Sequence, residues 1–216
     1  MRALVLFTGT GSVDRALEHY GFRVDNLDID PKCGATWTCD IMAWEAWKEL
    51  PPGRYDFIWA SPPCTEYSLA RTTAKTPRNF ELADSIVLRT LEIIKELAPK
   101  AWLLENPLTG YLKTRPFMQG YPYRDVCYCR YSEQGKWQYR KATRLWGVLP
   151  AFAPRPMCIP SNPCELSAAT GRHPEQAQRV RGTRGGRNHT LNELYSIPRL
   201  LCLEIAQAAM EACSDL

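Results

Sequence analysis

The sequence has no apolar run long enough to cross a membrane, because a spanning helix needs about 20 consecutive apolar residues. Its opening apolar stretch, Ala3 to Phe7, is cut off by Thr8-Gly9 and is too short for the core of a signal peptide. The 9 cysteines are an odd number, which argues against a disulfide framework when no export signal is present. Internal repeats and low-complexity tracts are missing as well. We therefore expect reduced thiols and a cytoplasmic protein.

The composition is that of a globular protein, with 45% hydrophobic and 23% charged residues over 216 positions, a length that supports one well-filled domain. The net charge of +4 permits a nucleic-acid partner without requiring one. Acidic residues are absent between Glu175 and Glu193, where arginines are interspersed with glycines. Because arginine forks match phosphate oxygens, two interpretations stay open: a solvated surface loop, or a phosphate-binding loop that carries Arg179, Arg181, Arg184 and Arg187.

Strand-like and helix-like segments alternate along most of the chain. The runs Tyr55–Ala60 and Ala101–Glu105 are apolar and of strand length, and apolar residues recur at helical spacing between Phe80 and Leu97. This alternation predicts an α/β fold with a doubly wound, mainly parallel sheet. The predicted strands are Ala3–Phe7, Arg23–Asp28, Tyr55–Ala60, Ala101–Glu105, Tyr123–Tyr131 and Thr143–Val148, and the predicted helices are Ser12–Tyr20, Phe80–Leu97 and Pro198–Cys213.

Residues 151–192 break this alternation, because they are rich in proline, glycine, arginine and serine and have little periodicity. The pattern predicts three parts. Residues 1–150 form the core, residues 151–192 form a small insertion, and residues 193–216 contribute a C-terminal helix that completes the core.

Cys64 follows a strand-like run and two prolines, Pro62 and Pro63, which fix an extended and poorly adaptable turn. It is either a nucleophile held on a rigid support or a small apolar residue that fills a gap at a strand end. Glu105 ends the next predicted strand. The carboxyl ends of parallel strands meet at one edge of an open sheet, where ligands bind, so we expect Cys64 and Glu105 to share a crevice.

The first predicted strand runs into the glycine-containing turn Phe7-Thr-Gly-Thr-Gly11-Ser12. It lacks the third glycine of the dinucleotide pattern, so it is either a turn that approaches a nucleotide-like ligand or an ordinary strand-to-helix turn. Asp28 follows the second strand, where α/β nucleotide sites bind ribose hydroxyls.

Six motifs carry a family resemblance when they are taken in their order and spacing. They are Phe7-Thr-Gly-Thr-Gly11, Asp28-Ile-Asp30, Asp40-Ile41, Pro62-Pro-Cys64, Glu105-Asn-Pro107 and Arg140-Lys-Ala-Thr-Arg144. In these motifs the chain resembles the cytosine-5 DNA methyltransferases, particularly their compact phage-type members. The likeness runs from residue 1 to about 148 and resumes at Tyr195-Ser-Ile-Pro198. The chain departs from the family pattern at Thr65, Pro107 and Tyr195, and its arginine motif keeps the last arginine, Arg144.

The resemblance implies a Rossmann-like fold that binds S-adenosylmethionine and methylates carbon 5 of a flipped cytosine in DNA. Cys64 would attack carbon 6, Glu105 would stabilise the protonated ring nitrogen 3, and Arg144 would orient Glu105 and bind the cytosine carbonyl. Burial is expected to raise the pKa of Glu105. The implied cofactor-binding residues are Phe7, Gly9, Gly11, Asp28, Ile29, Asp40, Ile41, Pro62, Ser196 and Ile197.

The sizeable target-recognition domain of the family is missing, because only about 50 residues separate Arg144 from Tyr195. The DNA sequence that the protein recognises is therefore expected to be short or loosely defined, or its recognition to be supplied by a protein partner. The expected DNA contacts are Arg71, Lys75, Arg78, Arg140 and the four arginines between 178 and 188. Methylation of RNA and a catalytically silent nucleic-acid-binding role stay open as alternatives. The compact form also fits a phage-type enzyme that protects DNA from a host nuclease.

Cysteine and histidine residues are concentrated in and just before the insertion. Cys158, Cys164 and His173 fall within it, and Cys127-Tyr-Cys129 precedes it. Four such side chains could bind zinc and hold a segment that has no core of its own. The alternative is that these thiols pack separately as small apolar groups.

Overall fold

The computed structural model describes residues 1–69, 71, 74–133, 135–177 and 189–214. Their centre is a seven-stranded sheet in the order β3-β2-β1-β4-β5-β7-β6. Strands β1 to β5 run parallel to one another, and β7 lies antiparallel to both β5 and β6. The strands are β1 Arg2–Leu6, β2 Arg23–Asp28, β3 Trp37–Thr38, β4 Phe57–Ala60, β5 Ala101–Pro107, β6 Tyr123–Cys127 and β7 Ala142–Val148.

Helices cover both faces of the sheet. They are α1 Ser12–His19, α2 Phe80–Leu97, α3 Glu165–Ala168, α4 Leu191–Tyr195 and α5 Arg199–Ser214. Side chains of α1 and α5 join one buried cluster with Val5 and Trp59, whereas side chains of α2 join a second cluster with Leu4 and Ile58. Successive residues of a strand point to opposite faces, so the apolar runs in β1 and β4 supply both clusters. The doubly wound, mainly parallel sheet is thereby confirmed.

Several predicted strand boundaries differ from those of the structure, and one strand was missed. The strand predicted over Tyr123–Tyr131 ends at Cys127, because Tyr128–Tyr131 form a 3₁₀ turn that buries both of its end tyrosines. Strand β3 was not predicted, since a two-residue strand has no periodic pattern to detect. Strand β5 also extends to Pro107, two residues past Glu105.

The segment that follows β7 has little regular structure. Within the described residues 149–177, α3 has four residues and an isolated bridge joins Ile159 to Asn162. A small buried cluster lies under it, composed mainly of cysteines: Cys127, Cys129, Ala142, Cys158 and Cys164. The domain division at 150 and 192 stays a prediction. None of the described helices is long and apolar enough to cross a membrane.

Candidate active site

The carboxyl edge of the parallel strands opens into a cavity of ≈ 280 Å³. Cys64 and Glu105 both line it, which confirms that they share a crevice. The predicted cofactor residues among its lining are Phe7, Gly9, Asp28, Ile29, Pro62 and Ile197, and the lining also includes Lys141 and Tyr195. One cavity therefore combines a candidate nucleophile, a buried carboxyl group and a glycine-containing turn.

The glycine-containing turn after β1 is fixed by backbone hydrogen bonds. The Phe7 amide donates to the Leu27 carbonyl at 2.8 Å, and Phe7 has a φ of 65°, a value unusual for a side chain with a Cβ. Gly9 has a φ of 52°, and its amide donates to Asp28 Oδ2 at 2.8 Å. The turn thus links the ends of β1 and β2 and brings backbone close to the cavity.

Asp28 and Ile29 form a wall that suits a nucleoside. Asp28 accepts from the amides of Gly9 and Asp30, at 2.8 Å and 2.9 Å, so its carboxylate has a fixed orientation. Each carboxylate oxygen can accept a further hydrogen bond, as a ribose hydroxyl would donate. Ile29 is 66% exposed and offers an apolar surface beside it. The residues present therefore fit the nucleoside part of S-adenosylmethionine.

Four of the predicted cofactor residues lie outside this lining. Ile41 is buried in the second core cluster, and Asp40 accepts from the Met42 amide at 2.9 Å. Gly11 precedes α1, with a φ of 66°. Ser196 lines a neighbouring cavity of ≈ 680 Å³, and its hydroxyl donates to the Glu193 carbonyl at 2.8 Å. A sequence motif identifies candidate cofactor residues, but it does not show which of their side chains line the cavity.

The turn that carries Cys64 is anchored on both sides. Asn106, at 0% exposure, donates from Nδ2 to the Pro62 carbonyl at 3.0 Å. The Ser61 hydroxyl donates to the Phe7 carbonyl at 3.1 Å. Beyond Cys64, the amides of Tyr67 and Ser68 donate to its carbonyl at 3.0 Å and 2.8 Å. Proline stiffness and these bonds together fix the position of the Cys64 sulfur.

Burial raises the pKa of the Cys64 thiol, and the nearby Glu105 carboxylate raises it further, whereas the positive charge of Lys141 lowers it. These shifts favour the neutral thiol. The ionisation of Cys64 depends on the two charges beside it, because Glu105 disfavours the thiolate and Lys141 favours it.

Glu105 is the buried acid of the cavity, at 8% exposure. It accepts a long hydrogen bond of 3.4 Å from the Tyr128 hydroxyl. Burial raises the pKa of Glu105, while the Lys141 charge and the Tyr128 hydrogen bond oppose the rise. The predicted direction of this pKa shift is confirmed.

Lys141 is the cation that sequence reasoning missed. Lys141 immediately precedes β7 in the chain and lines the cavity, and its Nζ donates to the Leu194 carbonyl at 2.9 Å. The same Nζ lies 4.6 Å from the centre of the Tyr128 ring. Its charge acts on both Cys64 and Glu105. The only sequence signal for this role is its position three residues before Arg144.

The prediction that Arg144 orients Glu105 was wrong. Arg144 pairs with Asn106 across the β5–β7 ladder, whereas Leu145 pairs with Glu105. Because neighbouring residues of a strand point to opposite faces, Arg144 and Glu105 lie on different sides of the sheet. The Arg144 guanidinium donates to both carboxylate oxygens of Asp125, at 2.7 Å and 2.8 Å.

The predicted DNA-contacting residues have varied environments. Arg71 forms an ion pair of 3.2 Å with Glu66 Oε2, and Arg78 donates to the Glu66 carbonyl at 2.6 Å. Lys75 is exposed. Arg140 donates from Nε to the Cys158 carbonyl at 2.9 Å. The predicted contacts Arg179, Arg181, Arg184 and Arg187 lie outside the described residues.

A second group of reactive side chains packs near Ala142, at the start of β7. The three predicted metal ligands, Cys158, Cys164 and His173, come together with Cys129, and their potential ligand atoms all lie within 4.8 Å of one another. Cys127, the other candidate on the sequence, is not part of this group.

Known proteins resemble this chain over much of its length. Residues 1–109 match the family model described as C-5 cytosine-specific DNA methylase. A protein of Frog virus 3 (isolate Goorha), named "Probable DNA (cytosine-5)-methyltransferase", is 32% identical over 219 residues. The match covers 95% of this chain and 98% of the viral protein.

Two solved structures are also similar to this chain. A protein described as a putative DNA modification methyltransferase encoded within an E. coli prophage shares the fold, with 15% identity and a TM-score of 0.50, covering 73% of this chain and 52% of its own. The Entamoeba histolytica methyltransferase EhMeth has 13% identity and a TM-score of 0.49, covering 72% of this chain and 55% of its own. This chain thus spans about half the length of these solved structures. From the family match and the viral relative, the chain belongs to the C-5 cytosine-specific DNA methylases.

Proposed function

We propose that this protein transfers a methyl group from S-adenosylmethionine to carbon 5 of cytosine in DNA, through a covalent adduct with Cys64. The observation that carries the proposal is the shared cavity of Cys64 and Glu105 beside the glycine-containing turn and Asp28. Cytosine carbon 5 is a poor nucleophile until a sulfur adds next to it, so a covalent step divides one difficult reaction into easier ones. Membership of the family supports the same reaction.

Cys64 and Glu105 act together on the cytosine ring. The Cys64 thiol gives its proton to solvent and its sulfur forms a bond to carbon 6. The displaced ring electrons move to nitrogen 3, which takes the proton of Glu105. This leaves an enamine whose carbon 5 is nucleophilic. Burial raises the pKa of Glu105, which favours the protonated form that can donate to nitrogen 3. Only a base flipped out of the duplex exposes both carbon 6 and nitrogen 3 to these groups.

S-adenosylmethionine, when bound, would supply a sulfonium methyl group for carbon 5, with the neutral thioether S-adenosylhomocysteine as the leaving group. Asp28 and Ile29 would hold the nucleoside part of that cofactor beside the cavity. Loss of the carbon 5 proton to solvent then restores the 5,6 double bond and expels the Cys64 sulfur, and nitrogen 3 returns its proton to Glu105. Lys141 favours the anionic form of Cys64 both before the sulfur bonds to carbon 6 and after that bond breaks.

The test is transfer of labelled methyl from S-adenosylmethionine to cytosine-containing DNA, with bisulfite sequencing of the product. Cys64→Ala is expected to lower transfer by at least about 10³-fold, because loss of a covalent nucleophile removes its whole pathway. Its cofactor affinity should be retained. Cys39→Ala is the matched control, since Cys39 is also a half-buried thiol and lies outside the cavity lining.

Each other outcome contradicts part of the proposal. Full transfer in Cys64→Ala would exclude the covalent mechanism. Label on a matched RNA but not on DNA would overturn the substrate. Label on neither would favour a silent nucleic-acid-binding homologue, or a chain that needs a partner protein.

A further inference from the structure

Cys129, Cys158, Cys164 and His173 converge on one point outside the active site. Their potential ligand atoms lie within 4.8 Å of one another. His173 Nε2 is 3.6 Å from Cys158 Sγ and 3.3 Å from Cys164 Sγ. The three thiols are buried, and Cys129 reaches the group from just past the end of β6, well before the segment that carries Cys158 and Cys164.

The two sulfur–nitrogen distances are close to those of tetrahedral zinc. Zinc–sulfur and zinc–nitrogen bonds of about 2.3 Å and about 2.0 Å place two sulfurs about 3.8 Å apart, and a sulfur about 3.5 Å from a nitrogen. We propose that these four side chains bind one zinc ion, as a closed structural site with three thiolates and one imidazole. A full set of four protein ligands leaves no position for a substrate, which is typical of structural rather than catalytic zinc.

Polar groups around the sulfurs support their thiolate form. The Cys164 amide donates to Cys158 Sγ at 3.4 Å, and the Ser167 hydroxyl lies 3.9 Å and 3.5 Å from the two sulfurs of Cys158 and Cys164. Such outer contacts commonly orient metal ligands.

Two arginines lie close to this site, and their positive charge favours its negative charge. Three thiolates and one Zn²⁺ together carry one negative charge. Arg140 donates to the Cys158 carbonyl at 2.9 Å, and Arg130 donates to the Asn162 carbonyl at 2.6 Å, on the segment between Cys158 and Cys164. The exposed Arg140 predicted to contact DNA is thus bonded to the backbone of this cluster.

The surrounding segment has few other sources of stability. Its buried cluster consists mainly of the cysteines themselves, with Ala142. Thiols that packed separately as small apolar groups would not explain why the His173 nitrogen faces two sulfur atoms. A buried polar atom needs a polar partner. Metal coordination explains both the convergence and the small core, since binding energy of a structural zinc becomes folding energy.

The site also lies directly behind the catalytic strands. Cys129 follows β6, and Ala142, which begins β7, packs in the same cluster next in sequence to Lys141. Leu108 packs against this cluster one residue past the end of β5, the strand that carries Glu105. A zinc ion here would therefore fix the start of β7 and the end of β5.

The first test is metal analysis of the full chain purified without added metal. About one zinc ion per chain is expected, with an X-ray absorption spectrum of three sulfur and one nitrogen ligands. Cobalt substitution should give the intense visible bands of a tetrahedral thiolate site. Both spectra use the unmutated protein, so they do not depend on a variant that folds.

Variants then assign the ligands. Cys129→Ser, Cys158→Ser, Cys164→Ser and His173→Ala should each lose zinc. Cys127→Ala should keep it, because Cys127 is equally buried two residues from Cys129, and its thiol lies near the Cys158 carbonyl and the Met157 sulfur. No zinc in the purified chain and no uptake of zinc or cobalt would overturn the site. Zinc retained in Cys129→Ser and lost in Cys127→Ala would overturn the assignment of Cys129.

Discussion

Two charged groups act on Cys64 in opposite directions. The Glu105 carboxylate raises the pKa of the thiol and Lys141 lowers it. Lys141 also opposes the rise in the pKa of Glu105. The thiol of Cys64 and the carboxyl group of Glu105 therefore titrate as a coupled pair, and a pH profile of methyl transfer reports on the pair rather than on one residue. The charge of Lys141 favours the ionised form of both groups.

Replacing Lys141 with methionine tests this role. Lys141→Met removes the charge that lowers both pKa values, so the pKa values of Cys64 and Glu105 rise together. Both limbs of the pH profile should then move to higher pH. Transfer at neutral pH is expected to fall roughly 100-fold, as when one charge-stabilising group is removed from an active site. The measurement is single-turnover methyl transfer between acidic and alkaline pH.

Arg144→Met is the matched control for that variant. It should weaken the pairing with Asp125 and leave the pH profile in place, because Arg144 lies on the other face of the sheet. Lys141→Arg should recover part of the activity by restoring a cation. A profile that moves in Arg144→Met and stays in Lys141→Met would return the role to Arg144.

The meeting of the two proposed catalytic residues could be predicted from the sequence, but the cation beside them could not. Cys64 and Glu105 end two parallel strands, and chain order alone brings such ends to one sheet edge. The choice between Lys141 and Arg144 depends on the register of β7 against β5. A shift of one residue in this register moves every side chain to the other face of the sheet. Residues three positions apart, such as Lys141 and Arg144, point to opposite faces. The sequence of a mostly buried strand contains no signal that shows which face a given residue occupies.

At the scale of elements, β7 approaches β5 closely at one glycine. Gly147 pairs with Leu103 across the ladder and has a φ of 132°. A Cβ added there would lie 2.2 Å from the Trp102 carbonyl oxygen, well inside contact distance. The pairing of β5 and β7, and with it the approach of Lys141 to Glu105, therefore requires glycine at this position.

Gly147→Ala is expected to destabilise the fold by more than about 3 kcal/mol, because a clash with backbone adds to the strain of positive φ. Gly21→Ala is the matched control: Gly21 also has a positive φ, of 80°, but no atom lies within 4 Å of its added Cβ. That variant should cost only about 1 kcal/mol. Urea unfolding measures both, and equal losses of stability would contradict the close approach.

The element types could mostly be predicted, whereas the neighbours of β7 could not. Apolar runs and helical spacing identified β1, β4 and α2, because burial on both faces or on one stripe leaves a clear pattern. The antiparallel insertion of β7 between β5 and β6 leaves none, since periodicity reports the type of an element and not its partner. Tyr128–Tyr131 resembled a strand because its aromatic residues suit strands and buried turns alike.

At the scale of the whole molecule, the α/β core takes up most of the chain. The sheet and its helices account for most of residues 1–148, and the viral relative has the same compact length. We propose that residues 151–192 act as a reduced target-recognition region, because they separate the catalytic core from α5 and carry concentrated positive charge. Contacts by arginine to phosphates position a duplex without reading its sequence. Such a region would give affinity with little specificity.

Replacing the four arginines between 178 and 188 with glutamine tests that idea. DNA affinity should fall to a similar extent for all sequences, and the dependence of binding on salt should weaken by about 0.9 for each phosphate that is no longer neutralised. The pattern of methylated cytosines should stay the same. The charge-matched control carries glutamine at four cations away from the cavity: Arg23, Lys48, Arg89 and Lys95. If both variants bind DNA equally weakly, net charge explains binding; if the methylation pattern changes, the arginines read bases. Either result would contradict a phosphate-binding role for this segment.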